Sequence, residues 1–239
     1  MRAIFYKDVR LQFVSFKTYF FMAAFTICIG VDCASSFLFG IGTDDGTLFP
    51  SMTGALLFVF PILTMNSFVD EHNAGTYTLL TGSPVSSLEI VQGKMAACMT
   101  VFTMTVLIAF LTPFIVLLVS GGAVLRLLSA ALGIWLLGGG FIALGIFISS
   151  MVERSFHSWL FTAAAICVFR LISMIIPFTS EGLMKGIIST LGVFNSFASF
   201  EMGIVSLSNV VYLISFALFC AFMTCKVIEK RKWGRGDEI

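Results

Sequence analysis

Few residues in this chain are of a type and spacing that could do chemistry. Asp32 and Arg170 are the two ionisable residues set deep inside long apolar runs. A charge at membrane depth costs free energy unless it finds a partner or reaches water. Counted along their helices from the basic ends, both lie at a depth of about 20–22 Å. Three readings stand: an ion pair between the two runs, a charge that faces a substrate, and, for Arg170, a side chain that reaches back to the interface. His72 and His157 stand at the ends of apolar runs and far apart in sequence, a poor basis for a metal site. The six cysteines are Cys28, Cys33, Cys98, Cys167, Cys220 and Cys225. None forms a CxxC pair and all fall in apolar runs, where small thiols packed between helices imply no disulfide framework and no metal. No Gly-x-Ser-Gly nucleophile is joined by a histidine inside an apolar run, and no GxxxxGK[ST] phosphate loop occurs. No catalysis is expected of this chain, and no metal or cofactor bound by it.

The elements that must position these charges follow from composition. Of 239 residues, 58% are hydrophobic and 11% charged, and the mean hydropathy is +1.02. A soluble domain is about 45–50% apolar and about 25% charged. So few charges cannot cover a water-facing surface. A soluble enzyme, a disordered protein and a nucleic-acid binder are excluded, and an integral membrane protein with little outside the bilayer is left. A spanning helix needs about 20 mostly apolar residues. Six segments qualify: Thr18–Phe39, Pro50–Val69, Met95–Val119, Leu127–Ser149, Phe156–Ile176 and Val210–Val227. The expectation is an all-α polytopic membrane protein, one transmembrane domain over residues 1–239. No soluble domain of about 100 residues fits, so the chain has no nucleotide-binding fold of its own.

Net charge is +1 and names no partner, but its distribution sets orientation. Six spans put both termini on one side. Arg2, Lys7, Arg10, Lys17, Lys94, Arg154, Lys226, Lys230, Arg231, Lys232 and Arg235 share that side, which makes eleven of the 14 basic residues. The other side has Arg126 and Lys185, and the loop around Asp44 and Asp45 has no basic residue. The positive side faces the cytoplasm, so both termini are expected there. A cleaved signal peptide is the competing reading of the first 40 residues. The apolar run is too long for that, and Asp32 interrupts it near its outer end.

Three segments are not plain spans. In residues 2–16, Phe5, Val9, Phe13 and Phe16 recur at helical spacing opposite Lys7 and Arg10, the pattern of an interfacial helix along the inner leaflet. The second cytoplasmic loop, residues 70–94, holds Asp70, Glu71, Gly75, Gly82 and Pro84 and then a short amphipathic piece ending at Lys94. Ser83 can cap a helix that starts at Pro84. Leu88 and Val91 form its apolar edge, with Glu89 and Gln92 elsewhere. Such a helix outside the bilayer can press on a soluble partner; an ordinary connecting loop is the alternative. Residues 177–209 are too apolar for an exposed loop and are broken by Gly182, Gly186, Gly192 and Gly203. Irregular backbone at membrane depth must be buried in protein or line a cavity, so two half-inserted helical pieces are expected. Within the spans, Gly138, Gly139, Gly140 and Gly145 permit close helix contact, and Pro113 is expected to kink the third span.

The second loop carries a resemblance. Glu71, Gly75, Thr76, Leu79, Leu80, Pro84, Val85, Glu89, Ile90, Gly93 and Lys94 resemble the signature of type-2 ABC exporter permeases (the ABC-2 type). The N-terminal stretch YKDVRLQFVSFKTYF resembles the family's start. The tail from Phe194 to Trp233 is similar to the end of its gliding-motility and copper-processing branch. The loop departs from the pattern at His72, where Arg is usual, and at Thr78, where a second acid is common. The resemblance implies six spans, an amphipathic lead helix, a coupling helix at about Pro84–Gln92 and re-entrant helices before span six. It implies two permease copies, or one with a sister permease, above two cytosolic ABC ATPase subunits that hold ATP and Mg. It also implies that Glu71, Gly75, Thr76, Pro84, Val85, Leu88, Glu89 and Lys94 couple the ATPases to the pathway, in a plasma membrane of bacterial type. No nucleic acid is involved.

Three other functions compete. An ion-driven secondary transporter or channel would use Asp32 and Arg170, yet no inverted repeat is visible and a carrier needs no coupling loop. An intramembrane enzyme lacks its residues. A purely structural membrane subunit shares the fold and differs only in lacking flux. The aromatic-rich pathway suits hydrophobic or amphipathic cargo, a weak inference because all membrane helices are rich in such residues.

Overall fold

The computed structural model describes residues 2–39, 52–70, 86–120, 124–175 and 192–233. Among these residues the chain is helical and has no strand. A short helix α1 (Arg2–Val14) turns at Ser15 into α2 (Phe16–Phe39). Helix α3 (Met52–Thr64) ends in a turn at residues 65–68. Then come α4 (Ser87–Ala109) and α5 (Leu111–Ser120), α6 (Val124–Met151), α7 (Ser155–Ile175), α8 (Val193–Glu201) and α9 (Leu207–Trp233).

Five stretches are long and apolar enough to cross a membrane: Phe16–Ser35, Ser87–Leu118, Val124–Met151, Ser155–Ile175 and Leu207–Lys230. The chain is therefore a multi-pass membrane protein. The expected second span is represented by α3, whose 13 residues rise only about 20 Å, short of the about 30 Å hydrocarbon thickness. Its Pro61 lies inside the helix, and Met65 N–H closes the last turn on the Pro61 carbonyl at 2.9 Å. The third span breaks at Phe110. Pro113 has no N–H, and its ring crowds the carbonyl of Ala109, four residues back. The chain recovers at once, with Phe114 N–H on the Phe110 carbonyl at 3.1 Å.

Helix α6 is the central post. It packs against α3, α4, α7, α8 and α9, and its glycines are notches for its neighbours. A methyl group on Gly133 would strike Phe200 and Phe197, on Gly138 Phe102 and Phe60, on Gly140 Phe216, and on Gly145 Thr64. Close approach is thus what these glycines supply. The core between α2, α3, α4 and α6 is aromatic. Phe21, Phe25, Phe60 and Phe102 are each at most 1% exposed, and Phe60 meets Phe102 edge-on at 5.1 Å and Phe141 at 6.1 Å. Edge-to-face geometry suits rings whose faces are negative and edges positive.

The cysteines are free thiols. Cys167 departs from the expected packing between helices, because it lies on the exposed face of α7. The first segment is helical, as expected, but Phe16 belongs to α2 and is 81% exposed. Asp8 is buried on α1, with Ile4 packed on the core. The bundle-facing stripe therefore runs through Ile4, Asp8 and Gln12, one turn apart.

Candidate functional site

The described part of the second loop begins and ends in one polar junction. Lys94, on the second turn of α4, is 4% exposed. Its Nζ donates to the Ser67 carbonyl at 2.6 Å, faces Asp8 Oδ2 at 3.4 Å and lies 4.9 Å from the centre of the Phe68 ring. A buried ammonium has three donors to satisfy, and here α1 and the 65–68 turn share in doing so. The same turn is held from α6: Ser149 Oγ accepts from Phe68 N–H at 3.1 Å and donates to the Met65 carbonyl at 3.4 Å. Asn66 Nδ2 donates to Asp70 Oδ2 at 2.9 Å, and Gln12 Nε2 to Cys98 Sγ at 3.1 Å.

Helix α1 approaches α4 closely because Gly93 has no side chain. A methyl there would sit 3.1 Å from Ile4 Cγ2. Gly93 and Lys94 thus act as a pair, the first admitting α1 and the second fastening it. A cavity of about 110 Å³ opens beside the junction, with Gln12, Lys17, Asn66 and Asp70 in its wall.

Of the residues that the sequence marked for coupling, Glu71, Gly75, Thr76, Pro84 and Val85 lie outside the described residues, as do Ser83 and His72. Leu88, Glu89 and Lys94 are described. They stand in the first two turns of one unbroken helix, Ser87–Ala109, that continues into the membrane. The described start of α4 is capped by Ser86, whose Oγ accepts from Glu89 N–H at 3.3 Å. Glu89 in that first turn also suits the positive helix end. Leu88 is 55% exposed, so the first turn presents an apolar side chain outward.

The sequence reading missed Asp8, Gln12, Ser67 and Ser149. One signal was available: a lone acid in an otherwise apolar and basic helical face, four residues after Ile4. Nothing local marks Ser149 or the Ser67 carbonyl, because their partners are 81 and 27 residues away.

The opposite end is organised around α8. Its last turn is capped from α6: Ser129 Oγ donates to the Phe200 carbonyl at 2.8 Å and Arg126 Nε to the Glu201 carbonyl at 2.9 Å. Gly203, at φ 84, takes the left-handed turn that ends the helix. Phe197 and Phe200 fill the notch at Gly133. Phe194, at the other end of α8, reaches inward to Phe141, 5.4 Å between ring centres. Of the segment 177–209, residues 177–191 lie outside the described residues.

Asp32 and Arg170 are not brought together. Asp32 is fully buried on α2, which packs against α1, α3, α4 and α5, whereas α7 packs against α3, α6 and α8. Lys94–Asp8 and Lys226–Glu229 are ion pairs among the described residues. Arg170 is exposed, and its guanidinium lies 5.7 Å from the centre of the Phe194 ring. Among the described residues, no group of three or more His, Cys, Asp and Glu could hold a metal.

A family model described as ABC-2 family transporter protein matches residues 5–215. No curated protein matches the chain. The match spans most of the sequence, and the chain belongs to the ABC-2 transporter family.

Proposed function

We propose that this member of the ABC-2 family is the permease subunit of an ATP-driven exporter, and that it supplies passage and coupling but no catalytic residue. Two copies, or this chain with a sister permease, would form the pathway above two cytosolic ABC ATPase subunits that hold ATP and Mg. The reading takes six spans, with α3 as part of the second, both termini in the cytoplasm of a bacterial-type plasma membrane, and α8 as a re-entrant helix. The similarity of its tail, Phe194 to Trp233, supports a position nearest the gliding-motility and copper-processing branch.

The observation that carries this is the junction at Lys94. A coupling loop must deliver motion to helices, and a loop attached by one flexible strand delivers none. Here the turn at residues 65–68 is fastened to α4 by Lys94 and to α6 by Ser149, and Lys94 ties in α1 through Asp8. On this reading, force arriving on Glu71, Gly75, Thr76, Pro84, Val85, Leu88 and Glu89 reaches three helices at once. An ion-driven carrier would need no such fastening, and its expected charges, Asp32 and Arg170, stand on helices whose main packing partners differ.

The test is purification in mild detergent with the products of neighbouring genes. A cytosolic ATPase should co-purify with the native chain and be lost or uncoupled with Glu71→Ala, Pro84→Ala or Glu89→Ala. Absence of an ATPase from folded native protein would sink the reading and return attention to Asp32 and Arg170.

A further inference from the structure

We propose that Arg170 is a binding site for the anionic head of an amphiphilic cargo, met part-way across the membrane. The proposal rests on the permease reading and names its substrate class.

Depth comes first. Arg170 is the sixteenth residue of α7, counted from Ser155 at the junction end, and so lies about 22 Å along that helix. A long side chain at such a depth can bend toward the far interface, yet this one does not lean on the far end. It lies over Phe194, and Phe194 packs on Phe141. Phe141 in turn touches Phe60, in the aromatic core. The guanidinium is thus held at the level of the core, well inside α6 from its Arg126 end.

Exposure comes second. Arg170 is exposed, together with Cys167, Leu171 and Met174 on the same helix. Lipid tails are a poor neighbour for a guanidinium, and charged side chains inside a membrane face a partner or a water-filled path. Among the described residues no carboxylate pairs with Arg170; a ring face is its contact. The guanidinium lies over the ring, 5.7 Å from its centre, and its N–H fork can take a carboxylate, sulfonate or phosphate in two parallel bonds. Phe194 is the second residue of α8, so the positive end of that helix lies near the same place and adds to the field. The apolar side chains around the guanidinium suit a tail. A charged head on an apolar body fits both halves of the surface.

The probe is a tail-labelled fluorescent alkyl sulfonate, charged at every working pH, against the same molecule with a neutral methyl sulfone head. Binding is measured on the chain in nanodiscs of phosphatidylcholine. The native chain should bind the sulfonate at least about ten-fold more tightly, a preference near 1.4 kcal/mol by the tenfold conversion. Arg170→Lys should keep the preference in part, and Arg170→Gln should abolish it while leaving sulfone affinity unchanged. Equal binding of the two probes by the native chain overturns the proposal, and needs no variant to fold. A preference that survives Arg170→Gln overturns it as well. So does an Arg170→Gln chain whose only change is in its oligomeric mass, which would make the residue a subunit contact. In the assembled complex, the sulfonate should stimulate ATP hydrolysis more than the sulfone. Binding without stimulation would make the occupant a resident lipid and overturn the cargo assignment. Sulfonate preference in a chain that recruits no ATPase would leave the anion site standing and remove only the ATP-driven reading.

Discussion

The fastening at Lys94 can be measured by a double-mutant cycle with Asp8. The two side chains are 4% and 10% exposed, so little solvent screening weakens the pair. Breaking a buried ion pair from one side costs about 3–5 kcal/mol, because the other charge stays behind. Lys94→Met also removes the bond to the Ser67 carbonyl, and hydrogen bonds to charged groups contribute about 1.5–3 kcal/mol. Lys94→Met should therefore destabilise by at least ~3 kcal/mol. Asp8→Leu alone should cost somewhat less, since Lys94 keeps Ser67 and the Phe68 ring. The double variant leaves neither charge buried, and its cost should fall well below the sum of the single costs. An interaction energy of at least ~2 kcal/mol is expected, against the ~0.5 kcal/mol within which independent sites add. The assay is equilibrium unfolding in mixed micelles, followed by circular dichroism. Additive single and double variants would refute the reasoning and show that the pair contributes geometry without energy.

Three further outcomes follow from the same contacts. Ser129→Ala removes a donor from the Phe200 carbonyl and should cost ~1 kcal/mol, with faster cleavage by protease between α8 and α9. Ser86→Ala removes the cap on Glu89 N–H and should cost ~1 kcal/mol, read as earlier hydrogen exchange in the first turn of α4. Gly145→Ala puts a methyl on the Thr64 side chain and should cost about 1–3 kcal/mol, visible as a lower melting temperature in detergent.

Much of the architecture was legible because it follows from solvent. The apolar runs had to be helices, since a membrane offers the backbone no other partner, and four of the spans observed match expected segments closely. The kink at Phe110 was legible because Pro113 acts locally. The separate short helix expected at Pro84–Gln92 was not found as such, since its described part is continuous with the third span. Local amphipathicity could not reveal that continuity, and Gly93, a poor helix former between the two parts, pointed to a break instead. The site was less legible for another reason. Lys94 was marked by the family resemblance, but its role depends on Asp8, Ser67 and Ser149, which come from three other parts of the chain. The role of α1 at the junction was not legible because Phe5, Val9 and Phe13 carry the helical period, while the residue that reaches Lys94 is the intervening acid, Asp8.

The glycine run of α6 shows how far packing divides residues that look alike in sequence. Gly138, Gly139 and Gly140 are consecutive, and as a run they suggest a flexible point. Each instead faces a different neighbour. A methyl on Gly138 would meet the rings of Phe102 and Phe60, both at most 1% exposed and locked in the aromatic core. Neither can move without disturbing Phe21 and Phe25. A methyl on Gly139 would meet only the tip of Met99, at 3.4 Å, a long side chain that can shift. Alanine in place of glycine inside a helix is favoured by ~1 kcal/mol. Gly139→Ala should therefore stabilise by up to ~1 kcal/mol, while Gly138→Ala, one residue away, should destabilise by about 1–3 kcal/mol as an overpacked core does. Opposite signs at adjacent positions, in the same unfolding assay, would show that α6 is a post keyed to its neighbours. Similar stabilisation at both would mean that the run serves bending, and that the aromatic core yields to an added methyl.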